Sequence, residues 1–184
     1  MNLFKNFLKR QTGFTLIEIL IAIILLSILA GVAAPLLFVS VSAITLHVGR
    51  VNLEESGDLA LSRISREIRH LKDDKNIVTA NGSDFQFLDV NSLQIRYYLS
   101  GNTLMRTAAG TDSGLTDQVQ AGGLVFTYYD DDGNAIATPT VGIGTATNIR
   151  RIQVETIFQN GASVLPFRTQ IRPKNLRHES DRFF

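Results

Sequence analysis

Residues 13–38 read GFTLIEILIAIILLSILAGVAAPLLF. From Phe14 to Phe38 the polar side chains are Thr15, Glu18 and Ser27, so 25 residues carry a single charge. A helix crossing the hydrocarbon core of a bilayer takes roughly 20 apolar residues. The stretch therefore predicts a membrane-spanning helix over 14–38. It also poses a question, because a charged group deep in hydrocarbon costs about 2.5–3.5 kcal/mol on insertion scales and usually has a partner. Glu18 has none in the run itself.

The flanks set the orientation. Lys5, Lys9 and Arg10 precede Gly13, and no Lys or Arg follows until Arg50. Cationic residues stay on the cytoplasmic side, so the N-terminus is expected in the cytoplasm and the chain after about residue 40 outside it. Three readings of the run follow. It is a plain signal anchor that tolerates Glu18 at its edge. It is a secretory signal cut among Ala30, Gly31, Val32, Ala33 and Ala34, with Pro35 opposing a cut after Ala34. Or Gly13 is the processing point and the apolar run is kept. Only the third supplies Glu18 with a countercharge. A cut after Gly13 makes Phe14 a new amino terminus. With Phe14 on the helix, its ammonium would share a face with Glu18, about 6 Å apart along the axis. The same cut removes the three cations that hold the N-terminus in the cytoplasm.

KRQTGFTLIE, residues 9–18, resembles the leader of type IV prepilins: a basic leader, a glycine, a phenylalanine, and a glutamate five residues in, counting from Phe14. Pro35 is similar in placement to the proline within the N-terminal helix of many pilins. The resemblance implies cleavage after Gly13 by a prepilin peptidase, N-methylation of Phe14, and an assembly role for Glu18, which pairs with the amine of a neighbouring subunit. It implies as partners other pilin or pseudopilin subunits, the peptidase/methyltransferase, an inner-membrane assembly platform and membrane lipid, with the mature protein in the bacterial inner membrane and then in a pilus or pseudopilus.

Beyond the anchor the helix is expected to continue over 39–74. Leu53, Gly57, Ala60, Ile64, Ile68 and Leu71 recur at spacings of four and three, the stripe of an amphipathic helix, and Leu61 widens it. Glu54, Glu55, Asp58, Arg63, Arg66, Glu67 and Arg69 decorate the other faces, with Arg63 and Glu67 four apart. The stripe is expected to pack on a sheet of the same domain; docking a partner is the alternative. Pro35 lacks a donor and is expected to kink or loosen the helix. Asp73, Asp74 and Asn76 mark its end.

The remainder, 75–184, reads as strands and turns. Leu93, Ile95, Tyr97 and Leu99 alternate with polar residues, and Ser100–Asn102 turns the chain back through TLMRT, giving a hairpin over 93–107. Strands are expected at 124–129 and 151–158. Asn160–Gly161 predicts a tight turn into Val164–Ile171, where Pro166 indicates an edge or a bulge. Segments 108–122 and 137–148, rich in small residues, read as exposed loops. The fold class is thus α+β: a pilin-like long N-terminal helix, transmembrane then amphipathic, packed on an antiparallel β-sheet. The divisions are a leader at 1–13, an anchor at 14–38, the helical continuation at 39–74 and a β-rich domain at 75–184. SRISREIRHL, YYLSGNTLMR, LVFTYYDDDGN and IRRIQVE resemble parts of PilW-type minor pilins and of the J-type pseudopilin of type II secretion. The sequence departs from many major pilins in having no cysteine pair near the C-terminus.

Chemistry is sparse. No cysteine is present, which excludes disulfides, thiolate metal sites and a cysteine nucleophile. His47, His70 and His178 are far apart and show no zinc spacing or base context. Asp130 and Asp132, in the run DDDGN, are candidate calcium ligands, but the run lacks an EF-hand's glycine position and closing glutamate; an acidic turn is the simpler reading. Gly142–Gly144 has no helix after it to make a phosphate site. No cofactor is expected. The net charge is +1, which gives no electrostatic case for nucleic acid. The basic tail Arg168, Arg172, Lys174, Arg177 and Arg182 is partly balanced by Glu179 and Asp181 and reads as a solvated or subunit-facing surface. A minor pilin, a J-like pseudopilin, and a secreted β-rich binding domain are the functions these features leave open.

Overall fold

The computed structural model describes residues 13–176. The chain divides into two compact units, Met1–Thr45 and Leu46–Phe184. One helix, α1 (Leu16–Arg69), contributes to both.

In the first unit none of the described residues is buried. Large apolar side chains stand open on every side; Phe38 is 76% exposed. A helix that is apolar all round needs an apolar surrounding, and in lipid only an internally hydrogen-bonded backbone such as this is admissible. The few hydroxyls turn inward: Ser27 donates to the Ile23 carbonyl, Ser40 to Leu36, Ser42 to Phe38 and Thr45 to Val41, at 2.8–3.0 Å. The helix passes through Pro35 as one element.

In the second unit α1 becomes one-sided. Leu53, Gly57, Ala60, Leu61, Ile64 and Ile68 are buried, the stripe expected from their spacing. The helix ends at Arg69, earlier than the acidic pair 73–74. Its last turn tightens, with the amides of His70 and Leu71 donating to the carbonyls of Glu67 and Ile68. Asp73 instead caps a separate 3₁₀ turn, Asp74–Asn76, by accepting from the Lys75 amide at 2.8 Å.

The expected single sheet is two antiparallel sheets. The first is a meander in chain order: β1 (Ile77–Ala80), β2 (Asp84–Leu88), β3 (Gln94–Ser100), β4 (Thr103–Ala108) and β5 (Thr111–Thr116). The second contains β6 (Val119–Tyr129), β7 (Ala135–Ile136), β8 (Arg151–Asn160) and β9 (Ser163–Ile171), in the order β7-β6-β8-β9. The hairpins β3–β4 and β8–β9 fall where expected, and Gly161 takes φ 58° in the second turn, a conformation that glycine adopts at little cost. Pro166 lies in β9, an edge strand, where its missing donor is tolerated. Segment 108–122 is not a loop: it holds β5 and the start of β6, including buried Val119. β5 is an exposed edge whose small and polar residues carry no alternation to read.

The core lies between α1 and the sheets. Phe85 packs against Phe87, Phe126 and Tyr128 with ring centroids 5.2–5.8 Å apart. Phe158 and Phe167 meet edge to face at 5.2 Å, and the Phe167 ring occupies the space that a side chain at Gly57 would need. Glu67, read from sequence as a surface charge, is instead the polar link from α1 to the first sheet. It accepts from Tyr97 Oη at 2.6 Å, from Arg106 Nε at 2.9 Å and from Arg63 Nε at 3.2 Å. Burial pushes its pKa up, but the hydrogen bonds from Arg106 and Tyr97 outweigh this and hold it below the ordinary glutamate value. Burial, reinforced by Glu67, raises the Tyr97 hydroxyl above its usual range.

Candidate processing and assembly site

Gly13, Phe14 and Thr15 are exposed and lie outside α1, which begins at Leu16. Thr15 is the reason the helix starts there. Its hydroxyl accepts from the Glu18 amide at 3.3 Å, and its carbonyl accepts from the amides of Glu18 and Ile19 at 3.1 and 3.3 Å. A residue in this capping position takes non-helical backbone angles while its side chain satisfies an orphan donor of the first turn. Phe14 therefore precedes the cap. The expectation that it occupies a helical position four residues before Glu18, on the same face, needs correction. The Thr15 cap missed in the sequence was visible there as T-x-x-E, the spacing of a capping box.

Glu18 sits in the first turn, exposed, at the end where unpaired amides concentrate partial positive charge. Among the described residues no side chain donates to its carboxylate. The peptide bond joining Gly13 to Phe14 is exposed and lies before the first helical residue. An amine uncovered at Phe14 would lie next to the helix start and its acid. Pro35 is well inside α1, 17 residues after Glu18.

The other candidates sit elsewhere. Asp130 accepts from the Asn134 amide at 2.7 Å and its side-chain amide at 3.3 Å, and Asp131 faces Arg172 at 3.6 Å. These bonds, led by the one from the Asn134 backbone, lower the Asp130 pKa. The run closes its own turn into β7, and among the described residues no three His, Cys, Asp or Glu side chains gather as a metal site. His47 and His70 are exposed. Lys5, Lys9, Arg10, Arg177, His178, Glu179, Asp181 and Arg182 lie outside the described residues.

Residues 8–34 match the family model described as the prokaryotic N-terminal methylation motif. The match takes in Lys9 and Arg10 of the leader, Gly13, Phe14, Glu18 and most of the apolar run. No curated protein matches the chain. With this motif on a long apolar helix that leads into antiparallel sheets, the chain is type IV prepilin-like. The motif implies processing by a prepilin peptidase and assembly with other pilins, and the helix is long and apolar enough to anchor in a membrane.

Proposed function

We propose that the chain is a minor pilin of a type IV pilus that helps to initiate or cap the filament, and that it acts as the substrate of a peptidase rather than as an enzyme. The observation that carries the reading is the order of features at the N-terminus: an exposed Gly13–Phe14 bond, a Thr15 cap, and Glu18 in the first turn of a helix that is apolar all round. Cleavage after Gly13 by an inner-membrane prepilin peptidase/methyltransferase leaves a methylated Phe14. The leader at 1–13 departs with its cations, and the anchor at 14–38 holds the chain with its N-terminus cytoplasmic. The continuation at 39–74 and the β-rich domain at 75–184 lie outside.

Glu18 then has two sources of positive charge, the helix end and the new ammonium. In a bundle of like helices the ammonium of one subunit neutralises the Glu18 of the next, which sets their register. Pro35 loosens the helix so that packed subunits can bend. The body segments that resemble pilin and J-like pseudopilin sequences support a minor rather than a main subunit.

The test is the intact mass and N-terminal sequence of the protein from its native membrane, together with its presence in sheared filaments. A start at methylated Phe14 supports the reading; a start near Ala34, or a functioning protein that keeps its leader, removes it. A deletion strain that loses enzyme export and keeps motility would reassign the chain to a secretion pseudopilus.

A further inference from the structure

An open cleft of about 620 Å³ lies between α1 and β9 in the second unit. Asp58, Ser62, Arg66 and Arg69 of α1 line it, at spacings of four, four and three that keep them on one side of the helix. Arg168 and Thr169 of β9 line it as well, with Lys174 from the segment after that strand. Lys174 is held in place by its neighbours. Pro173 and Leu176 are buried, and the Asn175 side-chain amide donates to the Leu71 carbonyl at 3.0 Å. The charges are out of balance. Arg168 contacts Glu155 at 3.3 Å, but among the described residues Arg66, Arg69 and Lys174 have no ion-pair partner, and Asp58 is the one acid lining the cleft. The other two arginines of α1, Arg50 and Arg63, pair at 3.2 Å with Glu54 and Glu67.

We propose that this cleft binds an extended acidic peptide segment of another protein, through carboxylates on alternate residues. Arg66 and Arg69 are three apart on a helix, where Cβ atoms lie about 5–6 Å from each other. Alternate side chains of an extended chain recur about every 6.4–6.8 Å, so an acid-x-acid segment sets one carboxylate against each guanidinium. Lys174 adds a third unpaired cation, and such ionised pairs make the shorter and stronger hydrogen bonds. The hydroxyls of Ser65 and Thr169, 3.5 Å apart, give the segment's backbone polar groups to meet. Asp58 fixes the direction. It stands about 12 Å or more along the helix from the two arginines and repels carboxylates, so the acids gather at the Arg69 end. The cleft lacks a platform for a nucleic-acid base. Its aromatic ring, Phe167, already packs edge to face on Phe158 and covers Gly57. A site of this kind takes one segment and does not propagate, which suits a subunit used once at the start or tip of a filament. The inference rests on the filament reading only for identifying the other protein as a fellow subunit; the site itself lies wholly in the second unit.

The full-length, detergent-solubilised chain is titrated by calorimetry with the capped peptide GDSDSDG, and for comparison with GNSNSNG and a single-stranded oligonucleotide. The acidic peptide is expected to saturate with a Kd below about 1 mM at low salt and to weaken as salt is raised, while the amide peptide does not bind. Arg66→Gln/Arg69→Gln should lower the affinity about tenfold, and Lys174→Gln, off the helix, about threefold. Arg50→Gln/Arg172→Gln removes two exposed cations outside the cleft and should leave the affinity within about twofold of wild type. Near-ultraviolet melts at the wild-type temperature check that the variants fold. An equal loss in the two double variants marks unspecific attraction and overturns the proposal. So does absence of binding, or tighter binding of the oligonucleotide. Binding seen only in Glu179→Gln/Asp181→Asn also overturns it, by assigning the cleft to the chain's own segment 177–184. The N-terminal mass decides the filament reading separately: with an unprocessed Phe14 and a bound peptide, that reading falls and the cleft stands.

Discussion

The two halves of α1 share one backbone conformation and differ in which directions they need covered. Between Leu16 and Thr45 no residue is buried, and apolar side chains point at every angle. Between Leu46 and Arg69 six residues are buried along one line, and the charged side chains stand on the other faces beside exposed Leu46, Val48, Val51 and Leu59. The difference is one of periodicity. A surface with no preferred side suits a surrounding with no preferred side, such as lipid or a ring of helices, whereas a stripe recurring every three or four residues suits one flat neighbour. Helix formation alone says nothing about what a helix rests on; the angular distribution of its apolar groups does.

Placing the same charge on each half gives the strongest test of this contrast. Ile64 is fully buried, so Ile64→Asp in the full-length, detergent-solubilised chain removes packing and buries an unpaired carboxylate. A loss exceeding about 4 kcal/mol is expected, seen as disappearance of the domain's near-ultraviolet thermal transition. Ile24→Asp should leave that transition where it is and instead lower recovery in the membrane fraction, in line with an insertion penalty of about 2.5–3.5 kcal/mol. If both variants melt the domain alike, the division between the halves is wrong.

Acid sharpens the same contrast, because the domain half of α1 holds its carboxylate through three side-chain donors. The folded pKa of Glu67 lies below its ordinary value of 4.5, so the unfolded chain binds the proton more readily. The stability it contributes is therefore complete above pH 4.5 and is lost as the pH falls through the lower folded value. Thermal melts should drop across that acidic window in the wild type and change less in Glu67→Gln. At pH 7 the variant should be weaker by about 1.5–3 kcal/mol, the usual worth of hydrogen bonds to a charged group.

The smallest expected effect compares two glycines. A methyl group at Gly57 would come within 2.5 Å of Phe167 Cζ, so Gly57→Ala must displace the ring and should lower the domain's stability by about 1 kcal/mol, net of its gain in helix propensity. At Gly31 nothing lies within 4 Å, and Gly31→Ala should leave the melt unchanged.

Much of this was legible in the sequence because the relevant signals are local. The anchor, the stripe from Leu53 to Ile68 and the hairpins β3–β4 and β8–β9 follow from periodicity and turn residues. The strand β2 was legible too, in the alternation of Phe85 and Phe87 with Asp84, Gln86 and Leu88, and went unread. β5 was not: an exposed edge strand with no buried face has no alternation, and DSGL looks like a turn. Nor does local pattern say that the strands part into two sheets, since pairing is set by long-range packing. At the N-terminus the motif stood out, yet the Thr15 cap was overlooked, and with it the place where the helix begins. Glu67 shows the same limit. Its spacing from Arg63 suggested a surface pair, and only the fold brings Tyr97 and Arg106 to it.

The inward-bonded hydroxyls of Ser27, Ser40, Ser42 and Thr45 have a common consequence. Because each is satisfied by its own preceding turn, none of them offers a polar tie to anything outside the segment. Glu18 is the charged side chain of that segment and receives no side-chain donor from the described residues, a single mark on an otherwise featureless dial.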